Sequence, residues 1–297
     1  MELRVLRYFL TIARKGSITG AATELHLSQP ALSKQLKDLE AEFGKPLLVR
    51  EPRGVALTEG GMLLRRRAQE IVDLADKTEA ELTADEESVE GDVHIGCGET
   101  QGMRFIARAA HEVRERYPHV RFHLFSGNSV EVAERLDKGL VDFGLFVGFS
   151  DTGRYSQLDL PRADALGLLV RCDHPLASRD FVGPADLANV PLLVSRQSLE
   201  RDEFIGWLGH PMEELDIAGT YNLVFNASIM VREGCGCAVC LDGLVETSGE
   251  SDVRFVPLAP KAESHLTVAW KKYPAFSKPA ERFLDALRRT ACRAEPV

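Results

Sequence analysis

The chain has 297 residues, 44% of them hydrophobic and 27% charged, with a formal net charge of −9. That length suits two or three domains and a core that needs no covalent staples. No apolar run reaches the roughly 18 residues that would span a bilayer. The N-terminus MELRVLRYFL also lacks a basic region followed by a long apolar core and a small-residue cleavage site, so a cytoplasmic location without a membrane partner is expected. Six cysteines, Cys97, Cys172, Cys235, Cys237, Cys240 and Cys292, are too sparse for a disulfide scaffold, and free thiols are the default. Charge is unevenly spread. Residues 1–60 carry nine Lys and Arg against seven Asp and Glu, while the remainder carries 27 against 38. A mildly basic head on an acidic body confines any nucleic-acid binding to the head.

In chain order, Leu6, Phe9, Leu10 and Ala13 recur at helical spacing across 3–15. Gly16-Ser17 interrupts them. Ile18, Ala21, Ala22 and Leu25 mark a second, short helix with Ser17 or Thr19 as its cap. After a tight connection at His26-Leu27, Ser28 is the expected N-cap of a third helix, with Pro30 in the first turn, where a missing N–H costs nothing. Leu32, Leu36, Leu39 and Phe43 share one face, and Gly44 ends the helix. The runs 47–51 and 54–58, joined at Pro52-Arg53-Gly54, predict a hairpin. Thr58 then caps a helix expected to reach about residue 87, roughly 44 Å long at 1.5 Å per residue. Leu64, Ala68, Ile71, Ala75, Thr78 and Leu82 repeat along it at steps of four and three, a heptad seam suited to pairing two chains.

From residue 92 strands and helices alternate. Strands are expected at 92–96, 120–125 and 142–148, with helices at 103–116 and 129–138. A second set follows, with strands at 166–170, 191–194, 217–221 and 237–242 and a helix at 226–233. A strand at 265–272 and a helix at 277–290 complete the chain. The alternation predicts α/β architecture with parallel-rich sheets and right-handed crossovers.

Three short helices with a tight turn before the third, then a hairpin, is the order of a winged helix-turn-helix, whose third helix presents its N-terminal residues to the major groove. This explains the front edge of LSQPALSKQLKDLE (27–40). Ser28 and Pro30 pin the helix start. Gln29 and Ser33 can hydrogen-bond to base edges, Gln particularly to adenine, and the Ala31 methyl can touch a thymine methyl. Lys34 and Lys37 lie where a phosphate backbone would pass, and Arg50 and Arg53 of the hairpin could reach backbone or minor groove. The bland alternative is a capped, solvated surface helix, which weighs most at Lys37, beside Asp38 and Glu40.

The stretch from about Leu3 to Gly61 resembles the DNA-binding segment of LysR-type transcriptional regulators, through GSIT-x-AA, LHLSQPALS, Leu39-Glu40 and LTEGG. DHPLA (173–177), SRQS (195–198), YNLVFNA (221–227) and EGCGCAV (233–239) look like weaker landmarks of the family's effector domain. Gly20 stands where a larger residue is common, and Leu47-Leu48 replaces a usual Leu-Phe. Both bear on packing rather than base contact. The resemblance implies a winged helix-turn-helix head at 1–58 and a dimerising linker helix at 59–90. It also implies a two-lobed, periplasmic-binding-protein-like effector domain at 91–297, with lobe I at about 91–162 and 266–297 and lobe II at about 163–265. Implied partners are double-stranded DNA bearing an interrupted inverted repeat, a small-molecule effector, further copies of the chain in a dimer or tetramer, and RNA polymerase.

GCGETQG (96–102) follows a strand and opens a helix, but its Gly-x-Gly-x-x-x-Gly spacing and the absence of an acid after the next strand argue against a dinucleotide site. Helix N-termini still offer free N–H groups to a polar ligand. With the resemblance placing an effector between the lobes, Thr100, Gln101 and Ser129 are the candidates on one side. Ser195, Arg196, Gln197 and Asn226 are those on the other, with Arg196 as counter-ion to a carboxylate. For each, an N-cap or plain surface role is the alternative. Cys235, Cys237 and Cys240 form an unusual run. Burial in a strand is the simple reading, and a thiol-based redox or metal sensor on the same scaffold is the rival function. Three ligands fall short of a structural zinc site, no cofactor is expected, and the histidines, among them His94, His119 and His123, show no ligand spacing. No Gly-x-Ser-x-Gly, His-Glu-x-x-His or Gly-x-x-x-x-Gly-Lys motif supports an enzyme.

Overall fold

The computed structural model describes the chain except residues 52–53, 84–88, 149–152, 200–201, 210–213, 275 and 294–297. It divides into two compact units, Met1–Ala84 and Asp85–Val297.

The first unit opens with α1 (Leu3–Lys15), α2 (Ile18–Glu24) and α3 (Gln29–Phe43). Four of these boundaries have a local cause. Gly16 and Gly44 close α1 and α3 in the left-handed conformation, with φ of 61° and 66°. The Ser17 hydroxyl accepts from Gly20 N to cap α2, and the Ser28 hydroxyl accepts from Ala31 N to cap α3. The head core joins Val5, Phe9, Ile12, Ala21, Ala22, Leu32, Leu36, Leu39 and Leu47. Spacing alone gave α1 a slightly different face: Val5 and Ile12 are buried, whereas Leu10 and Ala13 are only half-buried. Phe43, the last of the expected α3 stripe, is exposed because the helix ends there.

The hairpin strands β1 (Leu48–Glu51) and β2 (Gly54–Leu57) pair antiparallel, and α4 (Glu59–Thr83) follows. The Thr58 hydroxyl caps α4 by accepting from Gly61 N at 3.0 Å. The expected continuation to about residue 87 falls outside the described residues. The single seam expected along α4 is in fact split. Ala68 and Val72 are buried against Leu6 of α1, with Leu64 and Leu10 beside them. Ile71, Leu74 and Leu82 remain exposed. Packing against α1 selects a row of residues four apart, so the rest of the apolar pattern turns to another side of the helix.

The second unit contains β3 (Gly91–Cys97), α5 (Met103–Arg116), β4 (Val120–Ser126), α6 (Ser129–Asp137), β5 (Phe143–Val147) and β6 (Tyr155–Arg171). After two short 3-10 turns come β7 (Leu192–Ser195), α7 (Arg196–Leu199), α8 (Asp202–Leu208), β8 (Ile217–Tyr221) and α9 (Val224–Arg232). The rest is β9 (Cys237–Leu241), β10 (Val253–Pro257), β11 (Glu263–Lys271) and α10 (Lys278–Arg293). The strands form one nine-stranded mixed sheet in the order β4-β3-β5-β11-β6-β9-β7-β8, with β10 also on β6. β3 runs parallel to β4 and β5, and β7 parallel to β8 and β9. β6 and β11 run antiparallel to their neighbours.

Two expectations change here. The strand expected at 166–170 is the second half of the 17-residue β6, whose first half pairs with β11. β10 was not anticipated, because its burial does not alternate and the strand rests on long-range pairing with β6. Cores change along these long strands. Leu160 and Leu266 pack with Val93, Phe143 and Phe283. Leu166 and Leu258 pack with Leu192, Val239 and Val256. The unit therefore has two lobes crossed by β6 and joined again before β11.

Candidate nucleic-acid interface and ligand cleft

In the head, Ser28, Gln29, Pro30, Ala31, Lys34 and Lys37 are all exposed and Ser33 is half-buried. The Gln29 amide donates to the Ser33 hydroxyl at 2.7 Å, one helical turn away. This bond orders both side chains in advance and leaves the Gln29 carbonyl and the Ser33 proton available to a base. Several other cations of the first unit are in ion pairs: Arg67 with Glu70, Arg7 with Asp76, and Arg14 and Lys15 with Glu24. Those two cations hold the Glu24 carboxyl below its ordinary range, first through Lys15 and then Arg14. Lys34, Lys37 and Arg50 make no ion pair with the described residues. Arg50 lies exposed on β1, opposite Val55. Arg53 lies outside the described residues.

A second carboxylate has a structural role the sequence did not reveal. Glu40 of α3 accepts from Leu47 N at 2.8 Å and Leu48 N at 3.2 Å, tying α3 to the start of the hairpin. Gly54 brings the hairpin onto α1. Val55 N donates to Gly16 O at 2.9 Å, and a Cβ at Gly54 would lie 2.1 Å from that oxygen.

In the second unit a cleft of about 770 Å³, counting space open to solvent, lies between the lobes. One wall holds Gly98, Glu99, Asn128, Ser129 and Val147, and the other Ser195, Gln197, Ser198, Phe204, Tyr221, Asn222 and Val224. Three of the seven expected residues line it: Ser129, Ser195 and Gln197. Gln197 spans the lobes. Its carbonyl accepts from Ser129 N at 3.2 Å and its amide donates to Val147 O at 3.3 Å. The Ser195 hydroxyl accepts from Ser198 N at 3.0 Å and meets the Ser198 hydroxyl at 2.7 Å.

The other four do not line the cleft. Thr100 is buried and donates to the Asp164 carboxylate, while accepting from Gly102 N at 2.9 Å. Gln101 N donates to Asp164 at 3.0 Å, and the Gln101 amide donates to Gly243 O, another tie between lobes. Arg196 is exposed. It begins the turn of helix that leaves β7, and helical rotation carries it away from Ser195. Asn226 is exposed because α9 begins at Val224, which moves the helix start, and the cleft wall with it, to Asn222 and Val224.

Glu99, unmarked in the sequence reading, spans the cleft: its carboxylate accepts from Val224 N at 2.5 Å at the start of α9. A carboxylate suits a helix N-terminus, where free N–H groups concentrate positive charge. Tyr221 donates to Val239 O at 2.5 Å. Burial, then the neighbouring Cys240 and Glu99, push its phenol well above the ordinary range, so it stays neutral.

The cysteine run does not form a cluster. Cys237 packs with Val239 on one face of β9 and Cys240 with Ala238 on the other, so their side chains point apart. Burial pushes the Cys237 thiol up to about 11 and that of Cys240 to about 12, while Cys235 is exposed. Among the described residues no group of three His, Cys, Asp or Glu is placed to hold a metal ion. No described helix is long and apolar enough to cross a membrane.

A helix-turn-helix head with an exposed polar tip, and a two-lobed sheet domain with a cleft, define a transcriptional regulator with a separate ligand-binding domain. Residues 3–62 match the bacterial regulatory helix-turn-helix protein of the lysR family, and residues 86–292 match the LysR substrate binding domain. The chain belongs to the LysR family of transcriptional regulators. It is 31% identical to the uncharacterized HTH-type transcriptional regulator YvbU of Bacillus subtilis (strain 168), over 80% of this chain and 81% of that one. It is 30% identical to the Hca operon transcriptional activator HcaR of Escherichia coli (strain K12), over 97% of each. Its fold resembles crystal structures of CbnR, a LysR family transcriptional regulator. The CbnR structure has a TM-score of 0.75 at 23% identity, covering 98% of this chain and 99% of that one. Full-length CbnR complexed with its target DNA gives 0.73 at 23%, covering 98% and 100%.

Proposed function

We propose that the chain binds an interrupted inverted repeat in double-stranded DNA as a homo-oligomer, and that a small molecule bound between the effector lobes controls it. Residues 1–58 read the DNA, 59–90 pair the heads, and 91–297 bind the effector. Gln29 and Ser33 read base edges, with Ala31 against a thymine methyl and Ser28 and Pro30 setting the helix start. Lys34, Lys37, Arg50 and Arg53 neutralise phosphates. The observation that carries this reading is that Lys34 and Lys37 make no ion pair with the described residues and lie on the helix that carries an exposed, pre-ordered Gln29-Ser33 pair, while Arg7, Arg14 and Lys15 are held in ion pairs. The DNA complex of the similarly folded CbnR supports it. Effector binding favours one arrangement of the lobes and thereby the spacing of paired heads and the bend in the DNA. Output to RNA polymerase follows from that spacing.

Selection of bound sequences from random DNA with the full chain, followed by anisotropy titrations, tests the reading. Gln29→Ala and Ser33→Ala should each weaken the selected site about 5-fold or more, from roughly 1–3 kcal/mol per base contact, and leave random DNA nearly unchanged. Lys34→Ala should weaken both and lower the salt slope by about 1. Equal losses on both DNAs for all three variants would refute the assignment.

A further inference from the structure

The cleft's lining is unusual in its charge. Among the described residues that line it, Glu99 is the one charged side chain, and no Lys, Arg or His is present. The cation that could have balanced an acidic ligand, Arg196, is exposed and outside the lining. Three helices start at the cleft, α6, α7 and α9, and each has an N–H taken by the chain's own acceptors, Ser198 N of α7 by the Ser195 hydroxyl. The Gln197 carbonyl takes Ser129 N at the start of α6, and the Glu99 carboxylate takes Val224 N at the start of α9. A carboxylate ligand there would share the cleft with the Glu99 carboxylate, with no Lys, Arg or His among the described lining residues to balance it. One Glu99 oxygen is engaged by Val224 N, and the second accepts no hydrogen bond from the described residues. The same cleft is lined by the Ser195-Ser198 hydroxyl pair and by the apolar side chains of Val147, Phe204 and Leu244.

We infer that the effector is a small organic cation, a protonated amine on an apolar body, whose ammonium group pairs with Glu99 while Val147, Phe204 and Leu244 hold the body. This inference rests on the reading of the cleft as the effector site. A charge-assisted contact of this kind is the strong form of hydrogen bond, and it is strongest where the surrounding wall is apolar.

The test is a thermal melt of the full-length chain with matched probes: benzylamine, benzyl alcohol and benzoate, then isoamylamine, isoamyl alcohol and isovalerate. A ligand that binds only the folded state raises the melting temperature. At least one amine should raise it in a concentration-dependent way, its alcohol less, and its carboxylate not at all. Glu99→Gln should weaken the amine at least about 10-fold, and the wild-type comparison stands by itself if that variant does not fold. A Ser195→Trp chain, with the cleft filled, separates the two ideas. Carboxylates that stabilise the wild type and lose the effect in S195W would overturn the charge assignment and leave the cleft standing. An amine effect that survives S195W would overturn the cleft itself. No shift with either amine, or an amine effect indifferent to Glu99→Gln in a folded variant, overturns the inference.

Discussion

Glu99 and Arg196 show how a single residue's role depends on where its backbone ends. Both follow strands, and by sequence Arg196 was the better ligand group, yet the turn after β7 exposes it while the loop after β3 sends Glu99 to Val224 N. The cysteines follow the same rule. A spacing of three on a strand places Cys237 and Cys240 on opposite faces, and burial keeps both thiols protonated near neutral pH. Cys97 is likewise pushed up to about 12 by burial. Since the thiolate is the nucleophile, brief alkylation of the native chain at pH 8 should modify the exposed Cys172, Cys235 and Cys292 and spare Cys97, Cys237 and Cys240. Peptide mass spectrometry reads this directly. Rapid native labelling of Cys237 or Cys240 would contradict their buried placement and revive a sensing role for the run.

At the scale of elements, the head is held together by close backbone approaches that tolerate little change. Gly61, in the first turn of α4, faces the carbonyl of Leu47, where a Cβ would lie 2.0 Å away. Glu40 satisfies two N–H groups at the same place, Leu47 N and Leu48 N. Gly61→Ala should therefore push α4 off the hairpin. Glu40→Ala should leave Leu47 N and Leu48 N without this acceptor, at a cost of roughly 1–3 kcal/mol. Both should lower the denaturant midpoint of an isolated 1–84 fragment if it folds, or of the first transition of the full chain. Gly60→Ala, whose Cβ would approach the flexible Lys45 side chain at 3.4 Å and the Thr58 hydroxyl at an ordinary contact distance of 3.7 Å, should change it little. The Leu39-Glu40 and LTEGG patterns were visible in the sequence. What the glutamate bonds to and which glycine is crowded were not, because both depend on segments that meet only after folding.

For the whole molecule, the exposed apolar stripe of α4 bears on assembly. Ile71, Leu74 and Leu82 are 41%, 41% and 82% exposed, and they lie with Ala75 and Thr78 along one open side of α4. Exposed apolar rows on a helix end are what a second helix covers. Leu74→Asp with Leu82→Asp should shift the full chain toward smaller species in analytical ultracentrifugation. The same change should reduce binding to a two-half-site DNA far more than binding to a single half-site. An unchanged sedimentation profile would remove α4 from the interface.

The sequence by itself determined the helix boundaries of the head, the hairpin, most strands of the second unit and the polar tip of α3. Caps, glycine stops and apolar periodicity act over a few residues, so they can be read without a fold. Only the tertiary structure decided which apolar face of α4 is covered by α1, that residues 155–171 form one long strand, and that 253–257 is a strand at all. It also decided that Glu99 reaches across the cleft to Val224 N, and that of the residues expected there Ser129, Ser195 and Gln197 line it while Thr100, Gln101, Arg196 and Asn226 do not. Each of these depends on contacts between residues far apart in the chain, and local pattern carries no information about which distant partner a side chain will meet.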